Sequence, residues 1–188
     1  MRRGSRTVTI GGGTLRGRVL RYPDDARLRP SMQRTKASLF SSLAGELEGA
    51  VFADLYAGAG AVGIEALSRG ARLVHFVERD RAALHALHEN ATACRIEPGQ
   101  LRVHARAVAE VLDARPSPIG DASIVFADPP YDADIGDELT GRITIDSMPL
   151  LEWLVIEHHT RTALTAPPGM TIERARRFGE TTLTYFVR

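Results

Sequence analysis

Three groups of residues in this chain have the types and spacing to do chemistry. The first is Gly58-Ala59-Gly60-Ala61-Val62-Gly63, a G-x-G-x-x-G run with Asp54 and Tyr56 just before it. Such glycines let a backbone turn tightly and approach a ligand closely. The second is Glu78, fifteen residues beyond Gly63, whose carboxylate can accept both hydrogen bonds from a ribose diol. The third is Asp128-Pro129-Pro130-Tyr131. Two prolines after an acid hold the backbone, so the Asp128 carboxylate and the Pro129 carbonyl become fixed acceptors suited to an exocyclic amine. Tyr131 adds a ring on which a planar base can stack. Each group has a plainer use, the glycines as a structural tight turn and the aspartate as a turn cap. Their shared position at strand ends favours a site.

The elements that must position them follow from the apolar pattern. Val51 to Leu55 is a short strand running into the glycines, a helix from Val62 to Ser68 stops at Gly70, and Leu73 to Val77 is a strand with Glu78 at its tip. Asp80 is a good N-cap for a helix through about Ala93. Strands at Leu101 to Ala105 and Ser123 to Ala127 flank a helix from Val108 to Ala114, and Leu154 to Glu157 is a fifth strand. This alternation predicts a parallel, doubly wound sheet covered by helices on both faces. Ligands bind such sheets beyond the carboxyl ends of the strands, which brings the glycine run and the Asp128 segment to one crevice. Thr171 to Arg176 and Thr181 to Val187, joined around Gly179, read as an antiparallel hairpin added to the sheet. Upstream, Thr7 to Ile10 and Leu15 to Leu20 around Gly11-Gly12-Gly13 read as a β-hairpin too small to fold alone. Met32, Leu39, Phe40 and Leu43 then share one face of a helix that Pro30 and Ser31 start and Gly45 to Gly49 end.

At 188 residues, with 44% hydrophobic and 25% charged residues, the chain has the size and balance of one globular domain, which excludes the disordered and collagenous classes. No apolar run approaches the ~18 residues a spanning helix needs. The arginine-bearing start lacks an apolar stretch, so a cytoplasmic protein without a secretory signal is expected. A single cysteine, Cys94, excludes an internal disulfide and a cysteine zinc cluster. The pairs His85 and His88, and His158 and His159, read as ordinary surface or core histidines, so no metal is expected. Net charge is +1, but the first 36 residues hold ten basic side chains against Asp24 and Asp25, a local +8, which leaves −7 on the other 152. A basic arm on an acidic body suits contact with a polyanionic backbone. Arginine outnumbers lysine 23 to 1, so a solvated arginine-biased face is the alternative.

Gly58 to Gly63, Glu78 and Asp128 to Tyr131, in that order, resemble the motifs of class I S-adenosylmethionine-dependent methyltransferases, in the branch acting on exocyclic amino groups of bases. Gly12-Gly13-Thr14-Leu15-Arg16-Gly17-Arg18, Leu28-Arg29-Pro30 with Arg34, Leu39-Phe40, and Glu65-Ala66-Leu67-Ser68-Arg69-Gly70 narrow the resemblance to the RsmD family of bacterial 16S rRNA guanine-N2 methyltransferases. It covers nearly the whole chain, and its N-terminal blocks are more specific than the glycine run. Two positions depart from the family pattern. Where the family offers a small polar or acidic residue to adenine, this chain has Arg106-Ala107. Arginine cannot accept a hydrogen bond, leaving the backbone at Ala107 or Val108, or Asp113 nearby. The residue after Glu78 is usually apolar and is Arg79 here, whose guanidinium can stack over adenine or point into solvent.

The resemblance implies an α/β, Rossmann-like class I methyltransferase domain over residues 31–188. Its sheet would be mostly parallel and seven-stranded with a C-terminal antiparallel hairpin, behind a small N-terminal β-hairpin arm over residues 1–30. It implies cofactor contacts from Asp54, Tyr56, Gly58, Gly60, Gly63, Glu78, Arg79 and Ala107, and catalysis by Asp128, Pro129, Pro130 and Tyr131. Phosphate contacts fall to Arg16, Arg18, Arg29 and Arg34. The implied cofactor is S-adenosylmethionine, leaving as S-adenosylhomocysteine, without a metal. The implied partner is 16S rRNA in an assembled or assembling small ribosomal subunit, met by a monomer with no membrane contact. Three rival classes share parts of the pattern. A nicotinamide-dependent dehydrogenase gives Asp128 to Tyr131 no role, and an adenine-N6 amino-methyltransferase acting on DNA normally needs a target-recognition insertion for which no gap is long enough. A non-catalytic RNA-binding module leaves the intact cofactor motifs unexplained.

Overall fold

Strands covered on both faces read as near-continuous apolar runs, and β3 (Val51–Leu55), β4 (Leu73–Val77) and β6 (Ile124–Ala127) are buried at every position, with Asp54 and His75 their polar members. The computed structural model describes residues 7–23, 32–130 and 136–188. With β5 (Leu101–His104), β7 (Trp153–His159), β8 (Thr171–Phe178) and β9 (Thr181–Val187), these strands form one seven-stranded sheet in the order β5-β4-β3-β6-β7-β9-β8. The first five are parallel, and β9 runs antiparallel between β7 and β8. One face packs on α1 (Met32–Ser42), α2 (Ala61–Ser68) and α3 (Arg81–Ala93), through Leu39, Phe40, Ile64 and Leu87. The other face packs on α4 (Val108–Asp113) and α5 (Gly136–Arg142), through Val111, Leu112, Leu139 and Ile143. Asp80 caps α3 by accepting from the Ala83 amide at 2.8 Å.

Several boundaries differ from the expected ones for tertiary reasons. β7 starts one residue earlier and ends two residues later than its apolar core because each of its residues pairs with β9, down to His159 opposite Thr181. β8 continues to Phe178 by the same pairing, although as an edge strand it is mostly exposed. α5 carries almost no apolar periodicity in its sequence, Gly-Asp-Glu-Leu-Thr-Gly-Arg, and was not foreseen.

The N-terminal hairpin differs most. β1 (Thr7–Thr9) and β2 (Val19–Arg21) pair over only three residues each, and residues 10–18, which turn at 14–17, pack on the end of α2. There the Thr14 amide donates to the Ser68 carbonyl at 2.7 Å, and the Leu15 amide donates to Ser68 Oγ at 2.9 Å. Ser68 Oγ in turn donates to the Gly12 carbonyl at 2.6 Å. Gly13 has φ 77°, and any Cβ there would collide with the Ser68 carbonyl. The glycine triplet therefore permits close packing of backbone on backbone. Val8, Ile10 and Leu20 belong to the same core cluster as the α1 side of the sheet.

A buried ion cluster holds this arrangement. Glu65 of α2 is 1% exposed. Its Oε2 accepts from Lys36 Nζ of α1 at 2.5 Å and from the Gly11 amide at 3.0 Å, while its Oε1 accepts the Arg69 fork at 3.0 and 2.7 Å. Lys36 Nζ also donates to the Thr9 carbonyl at 2.8 Å. Lys36 therefore does not belong to the exposed charge of the basic arm, with which its sequence position groups it. Removing one member of a buried pair strands the other charge, at a cost of about 3 to 5 kcal/mol. Glu65→Leu is expected to lower unfolding free energy by about that much in urea titrations. Adding Lys36→Met to it should recover part of the loss, and a double variant no more stable than Glu65→Leu would show that Lys36 is not stranded.

Candidate active site

The chain leaves β3 through a turn that ordinary residues adopt poorly. Tyr56 has φ 60°, the left-handed region that costs a non-glycine residue strain and that recurs at functional sites. Gly58 and Gly60 follow with φ 56° and 82°. The three glycines of the run serve three different purposes. A Cβ on Gly58 would meet nothing within 4 Å, so this is where a ligand can reach the backbone. A Cβ on Gly60 would press on Leu87 at 3.1 Å and on Ile64 and Phe76 at 3.4 Å. One on Gly63 would overlap the Phe76 ring, so Gly63 lets α2 sit close on β4. At Gly60 and Gly63 the side without a side chain faces the core.

Carboxylates stabilise this turn from below and from the side. Asp54, buried in β3, accepts the Gly63 amide at 2.8 Å and so satisfies a free N–H of the first turn of α2. Glu78 Oε2 accepts the Gly58 amide at 2.9 Å, and its Oε1 accepts the Arg79 and Asp80 amides at 2.7 and 2.8 Å. Oε1 thereby fills both of its lone-pair positions, and Oε2 keeps one for a hydroxyl. Asn90, 3% exposed in α3, completes the frame. Its Nδ2 donates to the carbonyls of Ala59 at 3.0 Å and Arg21 at 2.9 Å, and its Oδ1 accepts the Arg21 amide at 2.9 Å.

These residues open on a cavity of about 120 Å³ between α1 and the carboxyl ends of the strands. Asp54, Tyr56, Gly58 and Val62 line it from the β3–α2 connection, Phe126 and Asp128 from β6, and Glu157 from β7. Tyr22, just after β2, and Met32, Thr35, Lys36 and Leu39 of α1 form the roof. Burial pushes the Asp54 carboxyl up to about 7, the charges of Asp128 and Glu78 push the same way, and the Gly63 amide opposes them. Burial, then Asp54 and Asp128, also raise the Tyr22 phenol above its ordinary value. A site in which neighbouring carboxylates hinder the ionisation of Asp54 suits a cationic ligand such as a sulfonium with an α-ammonium group.

Of the residues singled out in the sequence, Asp54, Tyr56, Gly58 and Asp128 come together at the cavity, and Glu78 holds the turn beside it. Pro129 is buried and Pro130 exposed directly after Asp128. Ala107 is half-buried as the N-cap of α4, and Arg79 is exposed. Asp113, a candidate for meeting adenine, is instead engaged by Arg142 of α5. Arg16, Arg18 and Arg34 are exposed, while Tyr131 and Arg29 lie outside the described residues. His158 is a core histidine whose Nε2 lies 2.8 Å from Thr184 Oγ1. Among the described residues no group of three or more His, Cys, Asp or Glu is placed to hold a metal ion. Tyr22, Asn90 and Glu157 were not anticipated. An asparagine inside a helix is the one signal that pointed to any of them.

A sheet whose last strand is inserted antiparallel beside β7, with a glycine turn after β3, an acid at the tip of β4 and Asp-Pro-Pro at the tip of β6, defines a class I S-adenosylmethionine-dependent methyltransferase. The family model described as Conserved hypothetical protein 95 matches residues 8–187. Ribosomal RNA small subunit methyltransferase D of Escherichia coli K12 is 32% identical over 187 residues, covering 98% of this chain and 92% of that protein. Its namesake in Haemophilus influenzae is 31% identical over 131 residues, 70% of this chain and 67% of that one. The solved structure of the Escherichia coli protein yhhF superposes with a TM-score of 0.84 at 30% identity, covering 97% of this chain and 98% of its own. The chain belongs to the RsmD family.

The Asp54 environment gives a pH dependence. Between the ordinary 3.8 and about 7, the folded chain retains a proton that the unfolded chain has released, so this residue's contribution to stability falls as pH rises through that window. Asp54→Asn should remove the decline. Urea midpoints measured from pH 4.5 to 8 are expected to fall more steeply in the parent than in the variant, and parallel profiles would place Asp54 among ordinary ionised carboxylates.

Proposed function

We propose that this chain transfers the methyl group of S-adenosylmethionine to the N2 amine of a guanine in 16S rRNA, acting on the small ribosomal subunit or its assembly intermediate. The observation that carries this reading is that Asp128 and the open backbone at Gly58 share one cavity roofed by α1 and Tyr22. The relatives named as small-subunit rRNA methyltransferases support the choice of substrate. Residues 1–30 act as an RNA-binding extension of the 31–188 catalytic domain.

The sulfonium supplies an electrophilic methyl group. Glu78 would hold a ribose hydroxyl through its remaining acceptor position, Gly58 would let the backbone pass close to the cofactor, and Ala107 at the start of α4 would border the adenine. Asp128 and the Pro129 carbonyl accept the two N–H bonds of the target amine. This turns its lone pair away from conjugation with the ring and toward the methyl carbon. In-line attack needs nitrogen and carbon about 3 to 3.5 Å apart, so the chief task of the site is positioning. As the N–C bond forms, the C–S bond breaks and the nitrogen sheds a proton, for which Asp128 is an available acceptor. Tyr131 stacks on the unstacked base. Arg16, Arg18, Arg29 and Arg34 hold phosphates, setting register without reading sequence.

Transfer of labelled methyl groups into small-subunit particles from a strain lacking the enzyme, with the modified nucleotide mapped, tests this reading. Charge-assisted hydrogen bonds are worth roughly 1.5 to 3 kcal/mol, so Glu78→Ala should weaken cofactor binding on the order of 10 to 100-fold in calorimetric titration. Asp128→Ala should leave that affinity nearly unchanged and lower the single-turnover rate; a parent-like rate would remove Asp128 from the chemistry. For the arm, each phosphate contact adds about 0.7 to 0.9 to the slope of log K against log salt. Changing Arg16, Arg18 and Arg34 together to alanine should therefore flatten the slope by about 2. Parent affinity and slope in filter binding would mark these arginines as merely solvated.

A further inference from the structure

The cavity contains an acid that the motifs do not account for. Glu157 sits near the end of β7, 4% exposed and lining the cavity. Its position relative to Asp128 follows from strand register. β6 and β7 pair in parallel as Phe126 with Val155 and Ala127 with Ile156, so the next step along both strands places Asp128 beside Glu157. Side chains alternate along strands. Asp128 and Glu157 thus stand two residues beyond Phe126 and Val155, on the face covered by α1, where both of those residues join its core cluster. Neighbouring strands lie about 4.8 Å apart, so the two carboxylates flank each other across a single step of the sheet.

Two adjacent carboxylates in their ionised form present only acceptors, and the base edge that complements them must present adjacent donors. Guanine does so, with its N1–H next to its N2 amine. Adenine places an acceptor, its N1, beside its amine and would face a carboxylate with a lone pair. Resting on the reading that the target is a guanine amine, we infer that Glu157 is the residue that reads the base as guanine, accepting its N1–H while Asp128 accepts from the N2 amine beside it. Asp128 then serves the reacting nitrogen and Glu157 serves specificity.

The probe is 2-aminopurine, which keeps the reacting amine but carries an acceptor at N1. Small-subunit particles are rebuilt around 16S rRNA ligated to carry guanosine or 2-aminopurine riboside at the nucleotide the parent enzyme methylates, and labelled methyl transfer is measured on both. The parent should favour guanosine by at least 10 to 100-fold, the worth of one charge-assisted hydrogen bond. Glu157→Gln should lose most of its rate on guanosine and narrow that preference, because a carboxamide can turn its N–H toward the 2-aminopurine N1. Its affinity for S-adenosylmethionine, measured by calorimetry, should match the parent. Equal parent rates on the two bases would overturn the inference whether or not any variant folds. So would a Glu157→Gln variant that is slowed equally on both, since that is the mark of a structural role. Failure of the parent to methylate guanosine at all would sink the rRNA reading itself, and this inference with it.

Discussion

The buried carboxylate of Glu65 is the interaction on which the working shape of this molecule depends. It gathers a lysine from α1, a backbone amide from the arm and an arginine from its own helix around two oxygens. An ionised group withdrawn from water is tolerable only when its acceptor sites are filled by well-placed donors, and here the donors come from three separate stretches of chain. Satisfying one charge therefore requires α1 and the arm to be docked against α2. That docking is what converts the open carboxyl edge of a parallel sheet into a roofed cavity, since Lys36 and its neighbours Thr35 and Leu39 line the cavity they help to close.

Beneath that roof the site is organised by acids with separate duties. Asp54 holds the start of α2 and Glu78 holds the turn at Gly58, while Asp128 stands at the mouth of β6. Burial raises the Asp54 carboxyl well above the ordinary carboxylate range, and the neighbouring charges add to that effect. The Tyr56 conformation belongs to the same economy of design. A left-handed non-glycine residue is strained, and the strain is held in place by the Ala57 amide bonding the Val77 carbonyl at 3.1 Å on one side and by the glycine turn on the other.

Much of this was legible in the sequence because strands buried on both faces have no choice but to be apolar runs. β3, β4 and the limits of α3 were read directly, the last from the cap at Asp80. The ends of β7 and β8 were not, since pairing with β9 carries them on into His158, His159 and Arg177. Within the site, Asp54, Gly58, Glu78 and Asp128 stood out because their chemistry is tied to local motifs. Tyr22 and Asn90 escaped notice because their role exists only once remote segments meet. The burial of Lys36 reversed the reading of its charge for the same reason: a lysine in a run of basic residues reads as solvated until its acidic partner, 29 residues away, is known.

The stitching of the arm to the body has a bearing on how the molecule comes into being. The hydrogen bonds that fix residues 11–21 span 53 to 69 positions, to Glu65, Ser68 and Asn90. A polypeptide is made from its amino end, so Val8, Ile10 and Leu20 leave the ribosome long before the helices that bury them. Their β1–β2 pairing covers three rungs, too little to persist alone. Closure of such distant contacts is slow relative to local helix formation. This segment, made before its partners, is thus among the last to acquire its structure, and the cavity roofed by Tyr22 is completed only after β7 has emerged.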